Sequence, residues 1–108
     1  MKRLLVICVV LGVMPNMVGA GSAVKGVVSD RISGCDYFLV ESKNGYDLLE
    51  WFGGSDPDKG DTIIGNYETF GFHDVYNETA DESMRIYTED YDLSRSDGLE
   101  KLVDSCGQ

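Results

Sequence analysis

The chain of 108 residues has few basic residues: nine lysines and arginines face nineteen aspartates and glutamates, a net charge of −10. A surface this acidic is repelled by the phosphate backbone of nucleic acids and by anionic lipid headgroups. We therefore expect no nucleic-acid partner. The electrostatically favoured partners are cationic proteins, cationic peptides and divalent cations.

Histidine is nearly absent as well, since His73 is the only one. Asp74 follows it, but neighbouring residues of an extended strand point to opposite faces and cannot form a base and its orienting carboxylate. None of the serines lies in a nucleophile-elbow pattern. The sequence thus favours a protein that is not an enzyme and needs no cofactor, with His73 as a surface or loop residue. A small hydrolase with paired carboxylates is the least favoured alternative.

Long apolar runs are missing after residue 20, so we expect no membrane-inserted segment there. At the N-terminus, Lys2 and Arg3 precede a ten-residue apolar run, residues 4–13, and small residues follow at 18–20. This pattern is typical of a secretory signal peptide and is too short to span a bilayer permanently. We expect cleavage after Ala20, which leaves residues 21–108 as a single domain in the periplasm or outside the cell.

Removal of residues 1–20 changes both the charge and the cysteine count. Seven basic residues then face nineteen acidic ones, so the net charge falls to −12. Cys8 is lost, and Cys35 and Cys106 remain as an even pair, which in an exported chain predicts a disulfide. The bond would stabilise the fold by about 4 kcal/mol in the chain-entropy model. The alternative, thiols used as metal ligands or redox groups, lacks CxxC spacing and a nearby histidine.

The remaining sequence predicts short strands followed by one helix. Turn-rich or polar stretches at 53–60 and 77–82 separate some of the strands. Strands of this length fit a closed or nearly closed barrel, because a short, strongly bent sheet hides its edges in that way. The predicted strands are residues 23–29, 36–43, 46–52, 61–65, 70–76 and 84–88.

A hairpin is the best-defined element, since Asn44-Gly45 is a strong signal for a two-residue turn. Such a turn places Val40 opposite Leu49, Phe38 opposite Trp51 and Tyr37 opposite Phe52. The ribbon then has one apolar core face, formed by Phe38, Val40, Leu49 and Trp51.

The C-terminus is predicted to be helical. Leu99, Leu102, Val103 and Cys106 recur at helical spacing and form one apolar stripe. Ser94 or Asp97 can cap the start of this helix, and Gly107 lies where a C-terminal cap is expected. A Cys35–Cys106 bond would hold the helix beside the start of the second strand.

The hairpin, followed by a Gly-Asp step into the next strand (residues 59–65, KGDTIIG), resembles small OB-like and SH3-like barrels. Residues 60–76 (GDTIIGNYETFGFHDVY), with YTEDYDLS at 87–94 and a terminal cysteine, are similar to small exported bacterial proteins of uncharacterised function. The resemblance implies a mainly β fold, a five- to six-stranded barrel with one C-terminal α-helix, and no particular activity. OB-like domains that bind nucleic acid have a basic, aromatic groove. The acidity of this chain departs from that pattern, so this ligand does not carry over.

Two groups of residues form the candidate binding surface. On the mixed face of the hairpin, aromatic rings lie beside glutamates and suit a cationic peptide or a sugar, unless the helix covers the apolar part. The acidic run at 89–92, just before the helix, suits a cationic partner, although part of it can serve the helix dipole. The predicted surface comprises Tyr37, Glu41, Glu50, Phe52, Glu89, Asp90, Tyr91 and Asp92.

A third acidic group, Asp56, Asp58 and Asp61, superficially resembles a calcium loop. An EF-hand requires glycine at its sixth position and glutamate at its twelfth, which here are Asp61 and Tyr67. The three carboxylates are at most a weak metal site, and a solvated turn is the preferred interpretation. The leading hypothesis is an exported acidic binding module of the periplasm or cell envelope. The alternative is an envelope-structural or stress-related protein without a small ligand.

Overall fold

Six antiparallel strands close into a barrel, and one helix follows them, in the computed structural model, which describes residues 23–107. The predicted fold class is confirmed. The predicted signal peptide, residues 1–20, lies outside the described residues. The elements are β1 (Val24–Arg31), β2 (Tyr37–Ser42), β3 (Gly45–Gly54), β4 (Thr62–Gly65), β5 (Gly71–Asn77), β6 (Glu82–Leu93) and α1 (Arg95–Ser105). Within residues 23–107, no helix has the length and apolar character needed to cross a membrane.

The strand order around the barrel is β1-β2-β3-β6-β5-β4, with β4 pairing back onto β1. β6 therefore lies between β3 and β5, although it is the last strand in the chain. It is longer than the predicted 84–88, because three register shifts let it bend along β3. The acidic run at 89–92 consequently belongs to β6 and does not form a separate segment before the helix.

The barrel interior is filled by alternate residues of the strands, because successive side chains of a strand point to opposite faces. Phe38, Val40 and Leu49 are fully buried there, and Trp51 packs against them, so the predicted core face of the hairpin is confirmed. The other buried members of this core are Val28, Ile63, Tyr67, Val75, Met84 and Ile86.

The register of the hairpin differs from the prediction by two residues. Val40 pairs with Asp47, and Ser42 pairs with Gly45. A type I′ turn over Asn44-Gly45 needs positive φ at both residues. The φ of Asn44 is not positive, and Gly45, at φ 128°, already belongs to β3. Because the shift is an even number, every side chain keeps its predicted face. Tyr37 therefore pairs with Glu50 and not with Phe52.

Helix α1 packs on the outside of β2 and β3. Leu102 is buried against Leu39 and Leu48, and Leu99 and Cys106 pack at the margin of this second core. Val103 is 40% exposed, so its predicted place on the buried stripe is wrong. Gly98 takes that place: a Cβ there would lie 3.3 Å from Tyr46, so the small residue lets the helix approach the sheet closely.

The ends of α1 follow the sequence signals. The Asp97 N–H donates to Ser94 Oγ, which makes Ser94 the N-cap, and Gly107 adopts φ 72° after the last turn. The predicted disulfide is confirmed: Cys35 and Cys106 are bonded, with 5.6 Å between their Cα atoms. The bond ties the end of the helix to the loop that precedes β2.

Candidate functional site

The outer surface of β3, β5 and β6 carries three aromatic rings in contact, here called the aromatic face: Phe52, Phe72 and Tyr87. The ring centroids of Phe52 and Phe72 are 4.9 Å apart, and those of Phe72 and Tyr87 are also 4.9 Å apart, both pairs edge to face. Phe52 is 50% exposed and Phe72 49% exposed. Monomeric proteins rarely expose several large apolar side chains in one continuous patch. Such patches mark interaction sites.

A second aromatic pair lies further along the same two strands. Phe70, just before β5, contacts Tyr91 of β6 at 5.0 Å between centroids. Phe70 is 64% exposed, more than any other large apolar side chain of the described residues. The exposed aromatic surface thus extends beyond the aromatic face.

Carboxylates border the aromatic face. Glu50 pairs with Tyr87 across β3 and β6, and with Tyr37 across β2 and β3. Burial raises the pKa of the Tyr37 hydroxyl, and the nearby Glu50 and Glu89 carboxylates raise it further. The structure therefore brings together three of the predicted residues, Tyr37, Glu50 and Glu89.

The guanidinium group of Arg85 lies on the aromatic face and already forms an ion pair. Arg85 lies over the Phe72 ring, 5.0 Å from its centroid, and its Nη1 is 3.0 Å from Asp74 Oδ1. An open groove of about 560 Å³ begins beside Phe52 and is bordered by Asp74 and Arg85. The face thus combines exposed rings, a groove and carboxylates, with one arginine held by its own aspartate.

Other predicted surface residues lie elsewhere. Glu41 is near Arg95 at the start of α1, and Asp90 lies 3.5 Å from Lys101 of the helix. Tyr91 contacts Phe70, and Asp92 lies beside Asp47 and Glu68. The structure thus gathers Tyr37, Glu50 and Glu89 at the aromatic face, and it gives Glu41, Asp90, Tyr91 and Asp92 different partners.

Two residues of the aromatic face were missed from the sequence, Phe72 and Tyr87. Phe72 alternates with the inward residues of β5, and Tyr87 does the same between Ile86 and Thr88 of β6. Once the strands are assigned, this alternation predicts that both side chains point outward. That the two rings lie side by side depends on the pairing of β5 with β6, which local patterns do not give.

A partly buried group of acids, here called the carboxylate cluster, lies where the β2–β3 turn meets the loop between β4 and β5. It consists of Asp47, Glu68 and Asp92, and one carboxylate oxygen of each lies within 4.8 Å of the other two. Asp47 is fully buried, Glu68 is half-buried and Asp92 is exposed. The sequence analysis missed the cluster because its members lie far apart in the chain, although Asp47 interrupts an inward-facing apolar series.

The hydrogen bonds of the cluster are specific. Ser42 Oγ and Asn44 Nδ2 donate to the two oxygens of Glu68, at 2.9 and 2.7 Å. The Asp92 main-chain N–H donates to Asp47 Oδ1 at 3.0 Å. Asp47 Oδ2 is buried and receives no hydrogen bond from a donor group in residues 23–107.

Burial raises the pKa of the Asp47 carboxyl to about 8, and the adjoining Glu68 carboxylate adds to this effect. Burial also opposes the ionisation of Glu68, but hydrogen bonds involving Asp47, Asn44 and Ser42 outweigh it and lower its pKa. The cluster therefore holds a charged Glu68 beside an Asp47 that is protonated at neutral pH unless a cation replaces the proton.

In the acidic loop at 56–61, the carboxylates of Asp56 and Asp61 have partners within the protein. Arg31 Nη1 donates to Asp56 Oδ1 at 2.6 Å. Asp61 Oδ2 accepts from the Asp58 N–H and from Asn77 Nδ2, at 3.0 and 2.9 Å. The three carboxylates do not converge as the carboxylate cluster does.

His73 has ordinary structural partners. Its Nε2 lies 2.8 Å from the Thr69 carbonyl oxygen and 3.1 Å from Thr69 Oγ1. Asp74 projects from β5 toward Arg85, so the two neighbours point apart as expected. The arrangement holds the loop before β5 and shows no base with an orienting carboxylate.

Fold and site define a small acidic β-barrel with an appended helix. Neither a protein-family model, nor a curated protein, nor a solved structure matches the chain. Its function is therefore inferred from the residues themselves.

Proposed function

We propose that this protein is an exported, non-enzymatic binding module of the periplasm or cell envelope, and that its aromatic face binds a cationic protein or peptide. The observation that carries the proposal is the exposed contact series Phe52–Phe72–Tyr87. Aromatic residues are enriched in the buried centres of interfaces, where a few of them supply most of the binding energy.

Charge complementarity selects the kind of partner. Glu50 and Glu89 lie near the face, Arg85 is paired with Asp74, and the chain from residue 21 onward carries −12. A lysine or arginine of a partner can interact with these carboxylates and lie over a ring, which is a cation–π contact. An extended basic peptide with intervening apolar side chains therefore fits this surface better than a neutral or acidic one.

Export of the protein is supported by two independent features. Residues 1–20 have the pattern of a secretory signal peptide. The Cys35–Cys106 bond is of the kind that persists in oxidising compartments.

Binding can be tested by NMR with the isotope-labelled protein, exported and processed by its expression host. The probe is a short peptide of alternating lysine and leucine, and its glutamate–leucine counterpart is the negative probe. We expect amide shifts from the basic peptide to concentrate at Phe52, Phe72 and Tyr87, and the affinity to fall at high salt.

Two variants separate the aromatic face from general charge attraction. Phe72→Ala is expected to weaken binding of the basic peptide about tenfold. Val103→Ala is the matched control, since Val103 is an exposed apolar residue on the helix, and it should leave the affinity unchanged. Equal binding of both peptides, or shifts centred on α1, would contradict the proposal.

A further inference from the structure

We propose that the carboxylate cluster, Asp47, Glu68 and Asp92, is a binding site for Ca²⁺. Ca²⁺ takes oxygen ligands at about 2.3–2.6 Å, so two ligands on opposite sides of the ion are separated by roughly 4.6–5.2 Å. The three carboxylate oxygens lie within 4.8 Å of one another. A single ion can therefore contact one oxygen of each residue with little movement of the chain.

The buried Asp47 oxygen that accepts no hydrogen bond points independently to a ligand. Asp47 is fully buried, and its Oδ2 receives no hydrogen bond from residues 23–107. The other oxygen, Oδ1, is taken by the Asp92 N–H. A buried carboxylate is costly unless a positive charge compensates it. No lysine or arginine in the described part of the chain forms an ion pair with the three acids, and Lys43 attracts Glu68 only from a longer distance. The proton that Asp47 shares with Glu68 is therefore the compensation in the metal-free protein, and a bound cation can take its place.

The remaining groups prepare the site for a hard cation. Ser42 and Asn44 hold the Glu68 carboxylate in place, and each of its oxygens keeps a further lone pair for a metal. The ligands are all oxygens, without histidine or cysteine, which favours Ca²⁺ over Zn²⁺. Asp92 is exposed, so water can enter there and complete the coordination.

The larger ion is favoured over Mg²⁺. Mg²⁺ requires ligands at about 2.0–2.1 Å in near-ideal octahedral geometry, and it gives up its bound water reluctantly. A site with a fixed, half-buried Glu68 and a buried Asp47 suits the longer and more variable Ca²⁺ distances better. Extracellular calcium modules bind with Kd of about 10⁻⁴–10⁻³ M, and we expect this site to lie in that range.

The test is calorimetric titration of Ca²⁺ into the exported, chelator-treated protein, together with its thermal unfolding. We expect one bound Ca²⁺, weaker binding of Mg²⁺, and a Tm that rises by about 5 °C or more at saturating Ca²⁺. Asp47→Asn keeps the shape of the side chain without its charge and should reduce the Ca²⁺ affinity by at least about tenfold. Asp92→Asn, at an exposed position, should also weaken binding and does not disturb the core.

The substitution Asp58→Asn is the matched control, because it also replaces one carboxylate, here in the other acidic loop. It should leave Ca²⁺ affinity and the Tm increase intact. The proposal is wrong if the unaltered protein shows no Ca²⁺-dependent heat or Tm change, or if Asp47→Asn and Asp92→Asn both bind as the unaltered protein does. The site shares no residue with the aromatic face, so either result is independent of the peptide experiment.

Discussion

The main-chain N–H of Asp92 donates a hydrogen bond of 3.0 Å to Asp47 Oδ1, across 45 positions of the chain. Asp92 adopts φ 57°, a left-handed conformation that is uncommon outside glycine but tolerated by aspartate. This conformation occurs near the end of β6, where its pairing with β3 is irregular. One hydrogen bond thus fixes both the buried carboxyl and the bend of the strand that leads into α1.

The first prediction concerns pH in metal-free protein. Because burial raises the pKa of Asp47 to about 8, the folded state keeps a proton that the unfolded state has released above its ordinary pKa near 4. The free energy of unfolding should therefore fall as pH rises from about 5 to 8, by about 2 kcal/mol. Glu68, whose pKa is lowered, contributes stability that is lost only at more acidic pH.

Urea unfolding across this pH range, in the presence of a chelator, measures the effect. Asp47→Asn carries no titrating proton at this position, so its stability should change less between pH 5 and 8 than that of the unaltered protein. A stability that increases over the same range would contradict the assignment of the high pKa to Asp47.

The second prediction concerns the disulfide. Replacing Cys35 and Cys106 together by serine should lower the free energy of unfolding by about 4 kcal/mol, because the bond restricts the unfolded chain. Urea midpoints of the oxidised protein, the reduced protein and the variant give the comparison. The reduced protein should resemble the variant, and an unchanged midpoint in both would argue against a stabilising bond.

The third prediction separates backbone conformation from steric crowding at two glycines. Gly54 and Gly34 have nearly equal φ values, 78° and 81°. A Cβ at Gly54 would lie 2.5 Å from the Ser83 carbonyl oxygen, whereas a Cβ at Gly34 would have no neighbour within 4 Å. Gly34→Ala should cost about 1 kcal/mol through φ alone, and Gly54→Ala should cost at least about 1 kcal/mol more.

Thermal and urea unfolding of the two alanine variants test this difference. Equal destabilisation would mean that β3 and β6 can separate at Gly54 without cost, contrary to the close contact in the barrel.

The fourth prediction concerns the start of α1. Ser94→Ala removes the oxygen that accepts the Asp97 N–H, at 3.1 Å, and should cost about 1 kcal/mol. Ser96→Ala removes the 3.4 Å contact of Ser96 Oγ with Ser94 Oγ but leaves the cap oxygen in place, so it is the control and should change stability by less than about 0.5 kcal/mol. Chemical denaturation provides both values, and a larger effect at Ser96 would place the cap elsewhere.

Local patterns were sufficient for much of the fold. Strand alternation placed Phe38, Val40, Leu49 and Trp51 on the inside, and the cysteine pair gave the bond that holds α1. Local patterns gave wrong predictions where contacts between distant parts of the chain determine the structure. The hairpin turn lies one residue earlier in the chain than predicted, which shifts the register by two. The reason is that Gly45 is needed inside β3, where a Cβ would come within 2.7 Å of the Leu93 carbonyl oxygen.

The candidate sites were harder to predict than the fold. Tyr37, Glu50 and Phe52 were identified from the hairpin, but the aromatic face requires Phe72 and Tyr87 from strands that pair only in the closed barrel. The carboxylate cluster joins three acids from β3, β6 and the β4–β5 loop. No spacing rule relates these positions, since the chain path between them depends on the whole topology.

The strand order also has a consequence for the time at which the fold can form. β6 lies between β3 and β5, yet it is made after all the other strands. Until residues 82–93 have emerged, β3 and β5 each keep an unpaired edge, a form that is prone to associate with other chains. If the protein is exported as we propose, its chain must therefore stay unfolded, or be protected, until this last strand arrives and closes the barrel.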